Sequence, residues 1–569
     1  MVSQLQKIKN SNQDVSNLHP QAKQDCADVV NIAVFFDGTG NNLESDQDKQ
    51  KLANPAKLWK NAQSYALFEE EKNRLDIKLS HPIYVSGVGT PFNGELSKVD
   101  KIIAKVQDHD LSGGFTGVGG RRRLEYGESQ ISKSLENTLK QKIVQAEATL
   151  KPQVEARKKE AIVKMEAKIN EHRLIKKVNL SIFGFSRGAA LARVFSNEMI
   201  WKTETETEDL SLKYQISGQA EPAPMEIQFL GIFDTVASFG LPATNMPNKF
   251  SFKGRDMVID PRVKNCVHQV AGNELRFAFP VDSICVNSKL ANPRTWKEIV
   301  YPGMHSDVGG GYEPSSQTIS NNFARIPLKD MLESAENSGV KIFNYENLKK
   351  EDPILFEDEF QIEEKTQQLF EAVQKAVGAS TGEVKKDIIN YMKLQYGAYG
   401  TLHRQRQQYL AQGNSKENPA YLSVSQIARE EAGFSLPTGP ADMATEVERV
   451  KTAKNFTTFD QSNLTGIKHV FRIIYPFAKA YEFLVDIDDW ELQSWEKNVS
   501  QEAVDFYSSY VHDSKYGFIY NAEPFSYFRQ RTVYESKRSW KGKRVDKKLG
   551  PIHEQIAYEN NEFEKTQNN

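Results

Sequence analysis

Short apolar runs alternate with segments of helical composition up to about residue 330. Residues 29–36 (VVNIAVFF), 178–183 (VNLSIF) and 225–233 (MEIQFLGIF) carry few polar positions, as do residues 82–86 (PIYVS). A strand without alternating polar positions is buried on both faces, which is typical of a parallel sheet. Because these strands alternate with helical segments, the pattern predicts an α/β fold with a mostly parallel sheet.

The hydrophobic and polar pattern also divides the chain into three parts. Residues 1–28 form a polar leader, and residues 29–330 contain the predicted α/β domain. Within that domain, residues 129–177 are rich in Lys, Glu, Gln and Ala and predict a long helical insertion. Residues 331–569 predict a C-terminal lobe that is mainly helical and rich in aromatic residues. Two roles stay open for these aromatic residues, the core of the lobe or a membrane-binding surface.

Composition narrows the possible partners and the compartment. The 73 Lys and Arg residues are nearly balanced by 75 Asp and Glu residues, so no nucleic-acid partner is predicted. The three cysteines show no metal or redox spacing, and their odd number argues against a disulfide framework. The N-terminus lacks the apolar core of a signal peptide, and no apolar run approaches the ~18–20 residues of a membrane span. We therefore expect the chain to be cytoplasmic in the cell that makes it.

A Gly-x-Ser-x-Gly sequence follows the apolar run that ends at residue 183. Gly184 and Gly188 flank Ser186, and a run of small residues typical of a helix start comes next. A strand, this turn and a helix together predict a nucleophile elbow, in which the serine sits in a strained backbone conformation. Glycine is needed at the flanking positions because Cβ atoms would collide there. Ser186 is therefore the candidate nucleophile of an α/β-hydrolase-like fold.

A serine nucleophile requires a histidine base and a carboxylate that orients it. Asp234 follows the strand at 225–233 and is the predicted acid. His305 lies in a glycine-rich loop and is the predicted base. Asp307 remains an alternative for the acid and His512 for the base.

An oxyanion hole needs the backbone N–H of the residue after the nucleophile, here Arg187, and an N–H from a second loop. The glycine-containing turn formed by Asp37, Gly38 and Thr39 follows the first strand and is predicted to supply it. Since the carboxyl ends of parallel strands meet at one edge of the sheet, these residues are expected to lie near Ser186.

Four ordered sequence blocks carry a family resemblance. They are FDGTGNN at 36–42, GFSRGA at 184–189, FDTV at 233–236 and HSDVGGGY at 305–312. In combination they resemble the α/β-hydrolase domain of the first family of type VI secretion lipase effectors, which are antibacterial phospholipases. The resemblance implies phospholipase A activity on membrane glycerophospholipids, with Ser186, Asp234 and His305 as the triad.

The resemblance also implies partners and a route of delivery. A secretion spike protein would carry the chain into the periplasm of a target cell, where it acts at the membrane, and an immunity protein would neutralise it. Regions corresponding to 331–569 are associated in the family with membrane targeting or spike binding. The chemistry requires no metal or cofactor, although calcium activates some family members and the acidic residues 108–110 (DHD) keep that option open. Two other functions remain as alternatives, an inactive spike-associated adaptor and an esterase for small soluble esters.

Overall fold

The structure is a computed structural model of the 569-residue chain. It describes residues 29–73, 77–90, 120–154, 175–203, 212–219, 221–236, 257–276, 278–314, 316–413, 443–448, 450–451, 487–516 and 527–536. The predicted leader at 1–28 and the acidic residues 108–110 lie outside these ranges.

A central, mostly parallel sheet organises the molecule. Its strands are Val29–Phe36 (β1), Ser80–Val85 (β2), Lys177–Phe185 (β3), Leu212–Tyr214 (β4), Ala223–Phe233 (β5), Asn265–Ala271 (β6) and Trp296–Tyr301 (β8). Their order is β2-β1-β3-β5-β6-β8, all parallel, and β4 pairs antiparallel with β5. The predicted α/β fold with a mostly parallel sheet is confirmed.

The apolar runs are explained by burial on both faces of this sheet. In β1, Ile32 and Val34 belong to one hydrophobic cluster, whereas Ala33 and Phe35 belong to another on the opposite face. Successive side chains of a strand point to opposite faces, so a strand that is covered on both sides needs apolar residues at nearly every position.

Helices cover both faces and form most of the other described residues. They are Leu43–Asp46 (α1), Asn54–Asn73 (α2), Gly120–Val154 (α3), Arg187–Thr203 (α4), His305–Gly309 (α5), Arg325–Asn337 (α6), Tyr345–Glu351 (α7), Pro353–Leu355 (α8), Glu364–Val377 (α9), Val384–Ala411 (α10), Asp489–Glu496 (α11) and Gln501–Ser509 (α12). Short 3-10 turns occupy Ser316–Thr318 and Asn321–Ala324, and a π-helical turn follows at Phe356–Phe360. Among the described residues, no helix combines the length and the apolar character needed to span a membrane.

The predicted helical insertion at 129–177 is represented by α3, which begins earlier, at Gly120. Its first turn is attached to the sheet because the Arg123 guanidinium donates to the carbonyls of Ser86 and Gly87 at 2.6 and 2.7 Å. Leu124 and Leu135 are buried against the core. Residues 155–174 lie outside the described ranges, and Lys177 already belongs to β3.

The C-terminal part packs against the sheet rather than apart from it. Tyr507 and Phe528 share one hydrophobic cluster with Val270 of β6 and Val300 of β8. A two-stranded parallel sheet joins Val281–Val286 (β7) to Val533–Ser536 (β9). The division into 29–330 and 331–569 stays a prediction, and these contacts show that the two parts share a core.

Candidate active site

The turn around Ser186 has the backbone geometry of a nucleophile elbow. Ser186 lies between the end of β3 and the start of α4, with φ of 58°, in the left-handed region that non-glycine residues rarely adopt. A Cβ on Gly184 would lie 2.4 Å from the Gly188 carbonyl oxygen, and a Cβ on Gly188 would lie 2.3 Å from that of Asp37. Both glycines are therefore required by close backbone contacts.

Strand pairing brings Ser186 and Asp234 to the same edge of the sheet. Phe185 and Phe233, the last residues of β3 and β5, are direct partners in the parallel register. The Ser186 N–H donates to the Phe233 carbonyl at 3.0 Å, and the Val236 N–H donates to the Ser186 carbonyl at 3.3 Å. Asp234 also has a positive φ, of 41°, and its N–H donates to the Gln269 carbonyl of β6 at 2.7 Å.

Asp234 and His305 form a buried hydrogen-bonded pair. His305 Nδ1 lies 2.5 Å from Asp234 Oδ2, and His305 is the first residue of α5, which follows β8. A proton on Nδ1 that is donated to the carboxylate leaves the Nε2 lone pair available as a base. Phe185 and Phe279 contact the imidazole, with ring centroids 4.5 and 5.0 Å away.

Burial of His305 and the charge of Arg531 beside Asp234 favour a neutral histidine next to an ionised acid. Burial raises the pKa of Asp234. The charge of Arg531 and the hydrogen bond from His305 lower it by more, so the net shift of the pKa is downward. Burial lowers the pKa of His305, and the bond and charge of Asp234 only partly oppose this. A neutral imidazole can accept a proton, which is the state that general-base chemistry requires.

The two alternative site residues, Asp307 and His512, pair with each other. His512 Nδ1 lies 2.6 Å from Asp307 Oδ1, and the His512 N–H donates to Asp307 Oδ2 at 3.1 Å. The same carboxylate accepts from the Met304 N–H at 2.9 Å, so it caps the helix that begins with His305. His512 stacks on Tyr312 at 3.9 Å, and its buried Nε2 has no hydrogen-bond partner among the described residues. This pair links the C-terminal part of the chain to the helix that carries His305.

A third histidine–carboxylate pair supports the backbone beside Asp234. The Thr235 N–H donates to His268 Nε2 at 3.1 Å, and His268 Nδ1 lies 2.7 Å from Glu298. Because Nε2 accepts a bond, the ring proton is assigned to Nδ1, where it is donated to the carboxylate. With both nitrogens occupied, His268 has a structural role in holding the loop after β5.

The turn predicted to complete the oxyanion hole lies directly against the elbow. Within it, the Asp37 N–H donates to the Val85 carbonyl at 2.9 Å and the Gly38 N–H to the Asp37 carboxylate at 2.8 Å. The Thr39 N–H has no acceptor among the described residues, and the Thr39 hydroxyl accepts a bond from the Arg187 side chain. Of the three predicted turn residues, Thr39 is therefore the one whose backbone N–H is not already donated to another described group. The Arg187 N–H lies at the N-terminal end of α4, where the helix dipole also favours negative charge.

Asp37 is held by a side-chain contact that the sequence did not reveal. Tyr84 donates its hydroxyl to Asp37 Oδ2 at 2.6 Å, and the Leu43 N–H donates to the Tyr84 hydroxyl at 2.9 Å. Burial, with a smaller contribution from Asp46, raises the pKa of Asp37 to about 7 in spite of these bonds. Asp37 thus orders the turn rather than presenting a free carboxylate to a substrate.

Sequence reasoning missed two residues that the structure places at the site. Arg531 forms a bidentate pair with Asp234, although 297 positions separate them. Glu274 accepts the His305 N–H at 3.1 Å and is itself paired with Arg276. Neither lies in a recognisable motif, and only the folded chain brings them to the end of β5 and β6. In the part of the chain that the structure describes, no group of three or more His, Cys, Asp or Glu residues could hold a metal ion.

Fold and site together define an α/β-hydrolase-type protein, with a serine at a strand-to-helix elbow and an Asp–His pair at the same sheet edge. Residues 196–334, which contain Asp234 and His305, match the model of the catalytic domain of Tle1-like phospholipase effectors of the type VI secretion system. The family resemblance predicted from the motifs is confirmed for this segment. The match supports a role as a phospholipase effector, and hence as a hydrolase.

Two solved structures are similar to this chain. An uncharacterized protein from Pseudomonas aeruginosa is 21% identical with a TM-score of 0.55, and the alignment covers 94% of this chain and 83% of that one. It shows a shared fold. The Tle1 effector bound to the VgrG spike of the type 6 secretion system is 19% identical, over 64% of this chain and 83% of that one, with a TM-score of 0.33, which is too low to establish a shared fold. Among the curated proteins, none matches this chain.

Proposed function

We propose that this protein is a serine phospholipase of the A type, in which Ser186 attacks an acyl ester of a membrane glycerophospholipid. The observation that carries the proposal is the 2.5 Å hydrogen bond between Asp234 and His305, at the sheet edge where Ser186 occupies a left-handed elbow. The match of residues 196–334 to a phospholipase catalytic domain supports the choice of substrate class.

The reaction follows from the roles of the three side chains. His305 Nε2 takes the proton of the Ser186 hydroxyl as the oxygen attacks the ester carbonyl, and Asp234 stabilises the imidazolium that forms. The backbone N–H groups of Arg187 and Thr39 stabilise the oxyanion of the tetrahedral intermediate. The intermediate collapses as His305 returns the proton to the departing lysophospholipid. Water then attacks the acyl-enzyme by the same route, which releases a fatty acid and restores Ser186.

The proposal extends to delivery and partners. As a type VI effector, the protein would be carried by the spike protein into the periplasm of a target cell and would act on its membrane. A cognate immunity protein would protect the producing cell. Membership of residues 196–334 in the effector family supports this route.

Replacement of Ser186 by alanine tests the chemistry. Ser186→Ala should abolish the release of fatty acid and lysophospholipid from vesicles of phosphatidylethanolamine and phosphatidylglycerol. The matched control is Ser196→Ala, which removes a buried hydroxyl from α4 that, among the described residues, bonds only to the Arg193 carbonyl of its own helix, at 2.9 Å. Ser196→Ala should hydrolyse the vesicles at a rate close to that of the unmodified protein.

Three outcomes would decide against the proposal. Unchanged hydrolysis by Ser186→Ala would exclude the serine mechanism, and the absence of any ester hydrolysis by the unmodified protein would favour an inactive adaptor. Hydrolysis of short-chain soluble esters without hydrolysis of vesicles would favour a small-ester esterase. Positionally labelled phospholipids in the same assay would distinguish cleavage at sn-1 from cleavage at sn-2.

A further inference from the structure

The segment just before β9 reaches into the site from the far end of the chain. Pairing of β9 with β7 fixes its position, since Val281 is aligned with Val533 and the Val281 N–H donates to the Thr532 carbonyl at 3.0 Å. Arg531 immediately precedes this anchor, and its side chain is 1% exposed. The attachment to β7 therefore delivers one arginine to the carboxylate of Asp234.

The guanidinium of Arg531 is held by more than its ion pair. It donates to both oxygens of Asp234, at 2.6 and 2.7 Å, to the Phe279 carbonyl at 2.8 Å and to the Ala271 carbonyl at 3.0 Å. The bonds to the two carbonyls fix the plane of the guanidinium group independently of Asp234. A guanidinium group whose plane is fixed holds the Asp234 carboxylate in one orientation through two parallel hydrogen bonds. A lysine, with a single ammonium group, cannot do this.

The charged groups around His305 are balanced when Arg531 is present. Asp234 and Glu274 contribute two negative charges, and Arg276 and Arg531 contribute two positive ones. Asp307, two residues after His305 in α5, is occupied by His512. With the carboxylates already matched, the buried imidazole is not needed as a counter-ion.

We propose that Arg531 is a positioning residue for the triad, which holds the carboxylate of Asp234 in line with His305 and keeps His305 in its neutral, proton-accepting state. This inference rests on the proposed serine mechanism and adds to it a group from the C-terminal part of the chain. Arg531 acts through Asp234 and does not touch the substrate in this scheme.

Loss of Arg531 has a consequence that a purely structural arginine would not have. Without its charge, Asp234 and Glu274 face one guanidinium, so the buried site favours a proton on His305. The imidazole then becomes a base only at higher pH. Because the variant removes a positive charge from the carboxylate that is bonded to His305, the pKa of the imidazole should rise, and the acid limb of the profile of kcat/KM should move upward by about one pH unit.

The experiment compares Arg531→Ala and Arg531→Lys with the unmodified full-length chain in the vesicle assay. Arg529→Ala is the matched control, a half-buried arginine two residues earlier in the same segment. Each variant is checked for folding by circular dichroism and thermal unfolding. Arg531→Ala should show the raised acid limb, and millimolar guanidinium ion should restore part of its activity at neutral pH. Arg529→Ala should keep the unmodified profile.

Arg531→Lys keeps the positive charge but loses the paired hydrogen bonds to Asp234. It therefore distinguishes the effect of holding the carboxylate in place from the effect of the charge. We expect its acid limb to stay near that of the unmodified chain while kcat falls by about tenfold to hundredfold, with KM little changed. An unshifted acid limb in folded Arg531→Ala, or an unmodified kcat in Arg531→Lys, would overturn the inference. If Arg531→Ala does not fold, Arg531→Lys alone decides. Failure of the serine mechanism itself would be seen separately, as hydrolysis that persists in Ser186→Ala.

Discussion

A methyl group at position 188 should disable the site while leaving the elbow helix intact. Gly188 lies in the first turn of α4, where its Cβ position is 2.3 Å from the carbonyl oxygen of Asp37 and 2.6 Å from that of Phe36. Both contacts are to backbone atoms at the end of β1, so no side chain can rotate away. Gly188→Ala must therefore push the turn at Asp37–Thr39 away from Ser186.

The size of this displacement can be worked from the contact distance. Ordinary van der Waals contact for a Cβ begins at 3.4 Å, so the Asp37 carbonyl and position 188 must separate by about 1 Å. A misplacement of about 1 Å in a catalytic arrangement costs about 10²-fold in rate, a loss similar to that of one oxyanion-hole donor. Alanine is favoured over glycine in a helix interior by about 1 kcal/mol, so helix propensity opposes the loss rather than causing it.

The assay measures kcat and KM on phospholipid vesicles, together with thermal unfolding. Gly127→Ala is the matched control, because Gly127 is also a packed helical glycine but its Cβ would meet the Phe195 ring at an ordinary 3.4 Å. We expect Gly188→Ala to lose about 10²-fold in kcat and Gly127→Ala to keep the unmodified rate. A folded Gly188→Ala with an unmodified kcat would refute the placement of the oxyanion donor in the turn after β1.

Two further predictions concern the histidines and Asp37. His305→Ala should reduce hydrolysis to the level of Ser186→Ala, whereas His512→Gln, which retains a donor for Asp307, should remain active; the opposite result would assign the base to His512. Burial raises the pKa of Asp37 from about 4 to about 7, so the folded chain binds an extra proton between these values and stability falls as pH rises through that window. Asp37→Asn should flatten this part of the stability profile, measured as the free energy of unfolding in urea, and an unchanged slope would contradict the assignment.

Much of the fold follows from local patterns. The strands β1, β3 and β5 can be predicted from their apolar runs because a strand covered on both faces needs apolar residues at consecutive positions. Ser186 can be predicted because the elbow requires residues without a Cβ at Gly184 and Gly188, and this requirement involves only neighbouring positions in the chain. Asp234 is predicted because it follows a predicted strand, where parallel topology collects polar side chains, and His305 because it lies in a glycine-rich stretch.

The sequence could not decide which side chains from distant segments pair with each other. Two acids and two histidines were candidates, and the three-dimensional structure joins Asp234 to His305 and Asp307 to His512. Sequence separation carries no information about such pairs, since the loop after β5, the helix after β8 and the segment after α12 meet only in the folded chain. The attachment of α3 to the sheet through the Arg123 side chain is likewise a tertiary feature, which the helix composition does not reveal.

The sequence by itself determined a parallel α/β sheet, a serine elbow and a short set of candidate partners, because each depends on residue types at fixed local spacing. Only the tertiary structure decided the electrostatic state of the site. The ionised acid and neutral histidine depend on burial and on Arg531, which reaches Asp234 through the pairing of β9 with β7. Burial and charge proximity arise from packing, and no local pattern in the chain records them.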